Sequence, residues 1–211
     1  MVKVDTFAEI ADERRGLADL MSGLTSEQQA TPSLCSEWSV REVLAHLVVP
    51  LEVSVPKFAL AVLASRGSFD GANVRLAREQ ARRPFEEMIE VLRRKAEVRF
   101  TPPGSGPEAP LTDLLIHGLD IRWPLGLARV IPQERLTKSL TFLTATPARG
   151  FVRQGTLAGL RFEATDIDWA QGSGPTVRGD TDALLLGITG RDPALRLLTG
   201  DGVPVLRGRV S

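Results

Sequence analysis

Helical periodicity over the first two-thirds of the chain limits its fold more than any other feature. Apolar residues recur at helical spacing in four long segments, at 6–22, 39–65, 71–98 and 111–123. A further helix is predicted at 132–145. Four helices joined by short to medium loops favour an antiparallel bundle, in which functional side chains lie between facing helices.

Capping patterns and prolines predict where these helices begin and bend. Thr6 with Glu9, and Ser39 with Glu42, match the capping box in which a hydroxyl and a carboxylate three residues apart satisfy the first backbone N–H groups. Proline removes a backbone donor and clashes with the preceding turn. The second helix is therefore expected to be kinked near Pro50 or Pro56, and the third to be kinked or divided at Pro84.

The character of the chain changes near residue 147. Beyond it, two segments are typical of short strands and one apolar segment is typical of a helix: 160–169, 175–179 and 181–190. The predicted fold class is therefore α+β. We expect a four-helix bundle over residues 1–147 and a small α+β domain over residues 148–211.

Charge and cysteine content argue against several classes of function. The 26 basic residues equal the 26 acidic residues, so no excess positive charge is present to neutralise nucleic-acid phosphates. No apolar window approaches the ~18 residues of a membrane span, and the charged, amphipathic N-terminal segment is unlike a signal peptide. The single cysteine, Cys35, excludes an internal disulfide, which fits a reducing cytoplasm. We expect a cytoplasmic protein that binds neither nucleic acid nor membrane.

The chain has only two histidines, and each follows a carboxylate by four positions: Glu42 with His46, and Asp113 with His117. Residues four apart share one face of a helix. Catalytic metal sites usually have three protein ligands and one open position, which His46, Asp113 and His117 can supply. Asp120 lies near the same face, where a carboxylate can orient an imidazole. Glu42 is better explained as a capping residue, and the alternative for the histidines is a pair of hydrogen-bonded core residues.

Other candidate groups have simpler interpretations. Cys35 is interpreted as a small buried loop residue rather than a nucleophile. Trp38, directly before the second capping box, is interpreted as a packing residue. Neither a phosphate-binding Walker motif nor the G-x-S-x-G elbow of a serine hydrolase is present in the sequence.

Three segments resemble the mycothiol-dependent maleylpyruvate isomerase family of DinB-like metal-binding bundles. TPSLCSEWSVREVLAHL is similar to its first signature, T-P-x-x-C-x-x-W-[ST]-V-[RK]-[DE]-[VL]-x-x-H-L. PLTDLLIHGLDIRWPLG resembles its second, in which a carboxylate and a histidine four apart precede D-[IV]-R. LRFEATDIDWAQGSGPTVRGDTDALLLGITGR is similar to the family's appended, sterol-carrier-like domain. The resemblance thus spans nearly the whole chain.

This resemblance implies a divalent metal, usually zinc, held by His46, Asp113 and His117. It also implies mycothiol, the low-molecular-weight thiol of actinobacteria, as cosubstrate. An arginine of the appended domain assists the isomerases, and Arg191 is the candidate for that role here.

We therefore expect a metal- and thiol-dependent enzyme, a transferase or an isomerase, in which a metal-bound thiolate attacks a small electrophile. Its partners would be a small-molecule thiol and an electrophile, with a homodimer as the assembly to test. Two alternatives stay open at this point. One is a metal-binding or small-molecule-binding bundle without catalysis. The other is a hydrolase that uses metal-bound hydroxide, with Asp120 or Glu42 as general base.

Overall fold

The computed structural model describes residues 5–35, 38–145 and 148–210. These residues form helices and a three-stranded sheet, so the predicted α+β class is confirmed. The chain divides into two compact units, one ending at Ala128 and the other beginning at Arg129. The sequence predicted a division near residue 147, after the helix Gln133–Thr144. The observed division falls before this helix. The reason is that this helix packs against elements of the second unit.

The regular elements in the described part of the first unit are all helices. Two of its helices, α1 and α3, each pack against both α6 and α7, which gives a four-helix core. The helices α4 and α5 pack together, and α5 also lies against α3. The bounds in the described part of this unit are α1 Thr6–Ser22, α2 Ser26–Ala30, α3 Val40–Glu52, α4 Val55–Ala64, α5 Phe69–Gln80, α6 Phe85–Arg94 and α7 Glu108–Arg122.

Proline divides both of the long predicted helices. The segment 39–65 forms two helices rather than one kinked helix: α3 ends at Glu52, and α4 begins at Val55 with Pro56 in its first turn. A proline in the first turn lacks only an N–H that the helix would not have paired. Pro50 is accommodated inside α3. Pro84 precedes α6 and divides the third segment, as predicted.

The two predicted capping boxes have different outcomes. The box of Ser39 and Glu42 is confirmed, because the Ser39 backbone N–H donates to Glu42 Oε2 at 2.8 Å and Ser39 Oγ accepts from the Glu42 N–H. The box of Thr6 and Glu9 is wrong. Asp5 caps α1 instead, its Oδ1 accepting from the Phe7 N–H at 3.1 Å, and Glu9 is buried along the helix.

A buried arginine in α1 binds the backbone of the segment that follows α6. Arg14 Nη1 donates to the backbone carbonyls of Ala96 and Val98 at 2.8 and 2.7 Å, and to that of Lys95 at 3.3 Å. Burial lowers the pKa of this guanidinium to about 10, so it remains charged at neutral pH. These bonds join α1 to the segment directly after α6.

The second unit has a small mixed sheet with helices packed on it. The sheet order is β2-β1-β3, with β1 antiparallel to β2 and parallel to β3. The helix α9 packs on α8, β1 and β3, and α8 also contacts β2. The bounds in the described part are α8 Gln133–Thr144, β1 Arg161–Ala164, β2 Ala170–Gly172, β3 Thr176–Gly179, α9 Thr181–Ile188, α10 Asp192–Leu195 and α11 Val203–Val210.

The turn between β2 and β3 requires glycine. Gly172 and Gly174 have φ of 86° and 116°. A Cβ at Gly174 would lie 2.2 Å from the Gly159 carbonyl oxygen, and one at Gly172 would lie 2.3 Å from the Leu160 oxygen. The strands β1 and β3 lie within the predicted segments 160–169 and 175–179, and α9 lies within the predicted helix 181–190, whereas β2 falls outside the predicted strand segments. No helix in the described part of the chain is long and apolar enough to cross a membrane.

Candidate metal centre

Two facing helices, α3 and α7, bring the three predicted ligands together. Asp113 Oδ1 lies 3.7 Å from His46 Nε2 and 3.5 Å from His117 Nε2. One potential ligand atom from each residue lies within 4.8 Å of those of the other two. A single ion can therefore be reached by side chains from two helices. The placement that the sequence predicted is present, and metal binding itself stays a prediction.

The imidazole of His117 is oriented by a buried carboxylate. Asp120, fully buried one turn further along α7, has its Oδ2 at 2.9 Å from His117 Nδ1. If Nδ1 carries the proton, it donates to this carboxylate and Nε2 keeps its lone pair for a metal. This is the arrangement by which proteins fix the tautomer of a ligating histidine. The structure thus places Asp120 where the sequence analysis expected it.

The imidazole of His46 contacts two other rings. Its centroid is 4.6 Å from that of Trp38, with 26° between the planes, so the two rings stack. The His117 ring meets it edge-on, at 4.8 Å and 68°. His46 Nδ1 is buried, and among the described residues it has no hydrogen-bond partner. Its ring is therefore held by packing, whereas that of His117 is held by a hydrogen bond.

The donor set suits a divalent ion and leaves one side open. Two imidazoles and one carboxylate are the ligands of many catalytic zinc sites, which keep a fourth position for water or substrate. The His117 and His46 side chains are 8% and 13% exposed, while that of Asp113 is 29% exposed. A small molecule would therefore approach from the side of Asp113.

Glu42 is engaged in capping α3. Its Oε2 accepts from both the backbone N–H and the hydroxyl of Ser39, at 2.8 and 2.9 Å. Its Oε1 lies 3.8 Å from Arg78 Nε. Glu42 is also not among the three residues whose ligand atoms converge. Its interpretation as a capping residue is confirmed.

Cys35 and Arg191 lie in different units. Cys35 is a partly buried residue packed against the core of the first unit, and its N–H donates to Ser33 Oγ at 3.1 Å. Arg191 directly precedes α10 in the second unit, where its Nη1 donates to the Thr189 carbonyl at 3.0 Å. A role for Arg191 in the reaction stays a prediction.

The contact between Trp38 and His46 is the feature that sequence reasoning missed. Trp38 is packed, as predicted, and is 8% exposed. Its neighbour, however, is a candidate ligand. The two residues are eight positions apart across a loop and a helix start, a separation with no fixed geometry. An aromatic residue just before the histidine-bearing helix was the only available signal.

Comparison with known proteins agrees with this arrangement. The fold and the site define a class of protein: a helical domain in which two histidines and an aspartate converge between α3 and α7. The family model described as the mycothiol maleylpyruvate isomerase N-terminal domain matches residues 10–122. The chain belongs to this family. The match includes the three converging residues and Asp120, and it does not extend to the second unit. Searches of curated proteins and of solved structures gave no significant match.

Proposed function

We propose that the protein is a divalent-metal-dependent enzyme that uses mycothiol to attack a small electrophile, as an S-transferase or an isomerase. The observation that supports it best is the convergence of the His46, Asp113 and His117 ligand atoms within 4.8 Å, inside the family domain. We propose zinc as the metal, since two imidazoles and a carboxylate suit it. The partners would be the thiol and its electrophile, and a homodimer is the assembly to test.

The chemistry depends on a thiol that the protein does not itself provide. A bound divalent ion would favour the thiolate form of mycothiol, because its positive charge stabilises the anion. The sulfur would form a bond to an electrophilic carbon. In a transferase a leaving group departs from that carbon with its bonding electrons. In an isomerase the carbon belongs to a double bond, whose electron pair is displaced within the substrate when the sulfur adds. After rotation about the resulting single bond, the pair returns, the double bond forms again and the sulfur leaves. Cys35, half-buried outside the ligand cluster, is not required as nucleophile.

The roles of the chain's own residues follow from their contacts. His46, Asp113 and His117 would hold the ion, and Asp120 would keep His117 Nε2 directed at it. The more exposed side of Asp113 would admit the thiol and the electrophile.

The hydrolase alternative receives less support. Of the two carboxylates considered as its general base, Glu42 is bonded to Ser39 and Asp120 to His117. Asp120 is also fully buried. Neither carboxylate is placed to take a proton from an attacking water. The non-catalytic alternative is separated from an enzyme by experiment.

The first test is the metal content of the purified protein after zinc loading and desalting. We expect one zinc per chain in the wild type and in Asp19→Asn, an exposed control on α1. His46→Ala and His117→Ala should each lose it. A wild type without stoichiometric metal would overturn the proposal.

The second test concerns the thiol. Mycothiol should raise the melting temperature of the zinc-loaded wild type and leave that of His117→Ala unchanged, because a ligand stabilises only the state that binds it. Turnover of maleylpyruvate or of halogenated and epoxide electrophiles should then require both zinc and mycothiol. Thermal stabilisation without turnover of any electrophile would favour a binding protein. Ester hydrolysis without thiol would favour the hydrolase.

A further inference from the structure

We propose that Trp38 is a positioning residue for the metal centre, because its indole ring sets the orientation of the His46 imidazole. For the other histidine, His117, the hydrogen bond to Asp120 performs the same task. The inference rests on the proposed metal-binding function and adds to it a residue that touches neither metal nor substrate.

The geometry of the ring pair supports this role. The Trp38 and His46 planes are inclined by only 26°, and their centroids are 4.6 Å apart, within the range in which stacked aromatic rings attract each other. Trp38 also lies 5.8 Å from the His117 ring, at a tilt of 51°. One indole therefore borders both imidazoles and stacks on one of them.

Ring contacts take the place of a hydrogen bond at His46 Nδ1. A metal-ligating histidine usually donates its second ring N–H to a carboxylate, carbonyl or water, which fixes the ring. His46 Nδ1 has no such partner among residues 5–35, 38–145 and 148–210. Packing against Trp38 and the edge-on contact with His117 hold the His46 plane instead.

Trp38 is itself held by the loop that precedes α3. Its backbone carbonyl accepts from both the N–H and the hydroxyl of Ser33, at 3.0 and 2.8 Å, and its N–H donates to the Cys35 carbonyl at 2.9 Å. The loop is in turn joined to α7, because the Leu34 N–H donates to the Asp120 carbonyl at 3.1 Å. These bonds fix the Trp38 backbone, from which the buried indole ring packs against His46.

Asp120 on α7 thus contributes to the orientation of both histidines, through two different interactions. The Asp120 carboxylate bonds His117 directly. The Asp120 backbone carbonyl holds the loop that presents Trp38 to His46. Replacing Trp38 should therefore disturb His46 and leave the pairing of His117 with Asp120 in place.

The proposed role of Trp38 depends on its aromatic face and not on its indole N–H. Nε1 is buried, and within the described residues it has no hydrogen-bond partner. Trp38→Phe removes this group and keeps an aromatic face, whereas Trp38→Leu removes the face as well. The two variants therefore separate the effect of the aromatic face from that of the indole N–H.

The test compares zinc affinity and the visible spectrum of the cobalt-substituted protein. Trp38→Leu is expected to bind zinc ~10-fold more weakly, the lower end of the effect of losing a residue that orients a ligand. Its cobalt bands should also shift, because one imidazole is re-aimed. Trp38→Phe should retain the wild-type spectrum. Trp169→Leu is the matched control, since Trp169 in the second unit is also 8% exposed.

The outcomes separate this inference from the proposed function. If the wild type binds no metal, both fail. If the wild type binds zinc, and Trp38→Leu has the same affinity and cobalt spectrum, Trp38 has no positioning role and the metal site stands.

A measurement without metal covers the case in which Trp38→Leu does not fold. With two histidines in the chain, their imidazole proton resonances are readily assigned in the metal-free protein. The ring current of Trp38 should shift the His46 resonances upfield, and Trp38→Phe should reduce that shift. Unshifted His46 resonances in the wild type would contradict the stacked geometry.

Discussion

The helices α3 and α7 each contribute a histidine to the same cluster but hold it by different means. On α7, a fully buried carboxylate bonds the His117 ring at 2.9 Å. On α3, the His46 ring is stacked on Trp38 from the preceding loop. A hydrogen bond to a buried charge is costly to break, because the partner is left unsatisfied. Stacking is weaker and less directional, so the two ligands should respond differently to mutation.

The beginnings of the two helices differ in the same sense. A complete capping box starts α3, with Ser39 and Glu42 bonded reciprocally. At the start of α7, Pro107 makes no side-chain capping bond. Most of α7 is nevertheless buried between Ala109 and Ile121, because the helix packs against both α1 and α3. Local bonds define where α3 begins, while tertiary packing holds α7.

The largest expected effect concerns the two histidines in the metal-free state. His117→Ala should lower the free energy of unfolding by about 2 kcal/mol more than His46→Ala, because it removes the imidazole partner of the buried Asp120 carboxylate. Urea denaturation with a chelator present measures this difference. The double variant His117→Ala/Asp120→Asn should recover part of the loss. Equal losses from the two single variants would show that the hydrogen bond and the stack are worth the same.

The next effect is on metal affinity. Asp120→Asn should weaken zinc binding about 10- to 100-fold, because the amide no longer attracts the His117 N–H as a carboxylate does. Competition with a chromophoric chelator measures the affinity. Asp19→Asn, with an exposed side chain on α1, should bind like the wild type. Wild-type affinity in Asp120→Asn would mean that packing alone orients both histidines.

A smaller effect is expected at the start of α3. Ser39→Ala removes the hydroxyl that accepts from the Glu42 N–H and should cost about 1 kcal/mol of stability. Thermal and urea denaturation measure it. Zinc stoichiometry should stay at the wild-type value in Ser39→Ala and in Glu42→Gln alike. Loss of zinc in Glu42→Gln would instead make Glu42 a ligand and contradict its role as a cap.

The smallest effect tests how completely α7 depends on burial. Thr112 is fully buried, and its hydroxyl has no hydrogen-bond partner in the described part of the chain. Thr112→Val should therefore be neutral or stabilise the protein by up to about 1 kcal/mol, since a buried unpaired hydroxyl is unfavourable. Thr144→Val is the comparison, because the Thr144 hydroxyl donates to the Leu140 carbonyl at 2.8 Å. Marked destabilisation by Thr112→Val would reveal a bonded hydroxyl.

Features that depend on residues close in sequence could be predicted. The box of Ser39 and Glu42 spans three positions, and the Asp113–His117 and His117–Asp120 pairs span a single helical turn. Their geometry follows from the helix itself. The box at Thr6 failed for an equally local reason. A carboxylate one residue earlier, on Asp5, was an equally good cap.

Features that depend on packing could not be predicted. Proline predicted a bend in the helix expected over 39–65, but its division into α3 and a separate α4 that packs against α5 was not predicted. The helix α8 was assigned to the first unit, yet it packs against α9 and β2 of the second. In both cases the apolar pattern predicts a helix but does not indicate which surface will cover it.

The sequence by itself determined the helices of the first unit, two strands and a helix of the second, and the three candidate ligand residues. These follow from periodicity, capping and spacing, which act over one or two turns. Only the tertiary structure decided that His46 meets Asp113 and His117, and that Trp38 lies on His46. Residues on different elements come together through the packing of whole helices and loops, which no short-range pattern encodes.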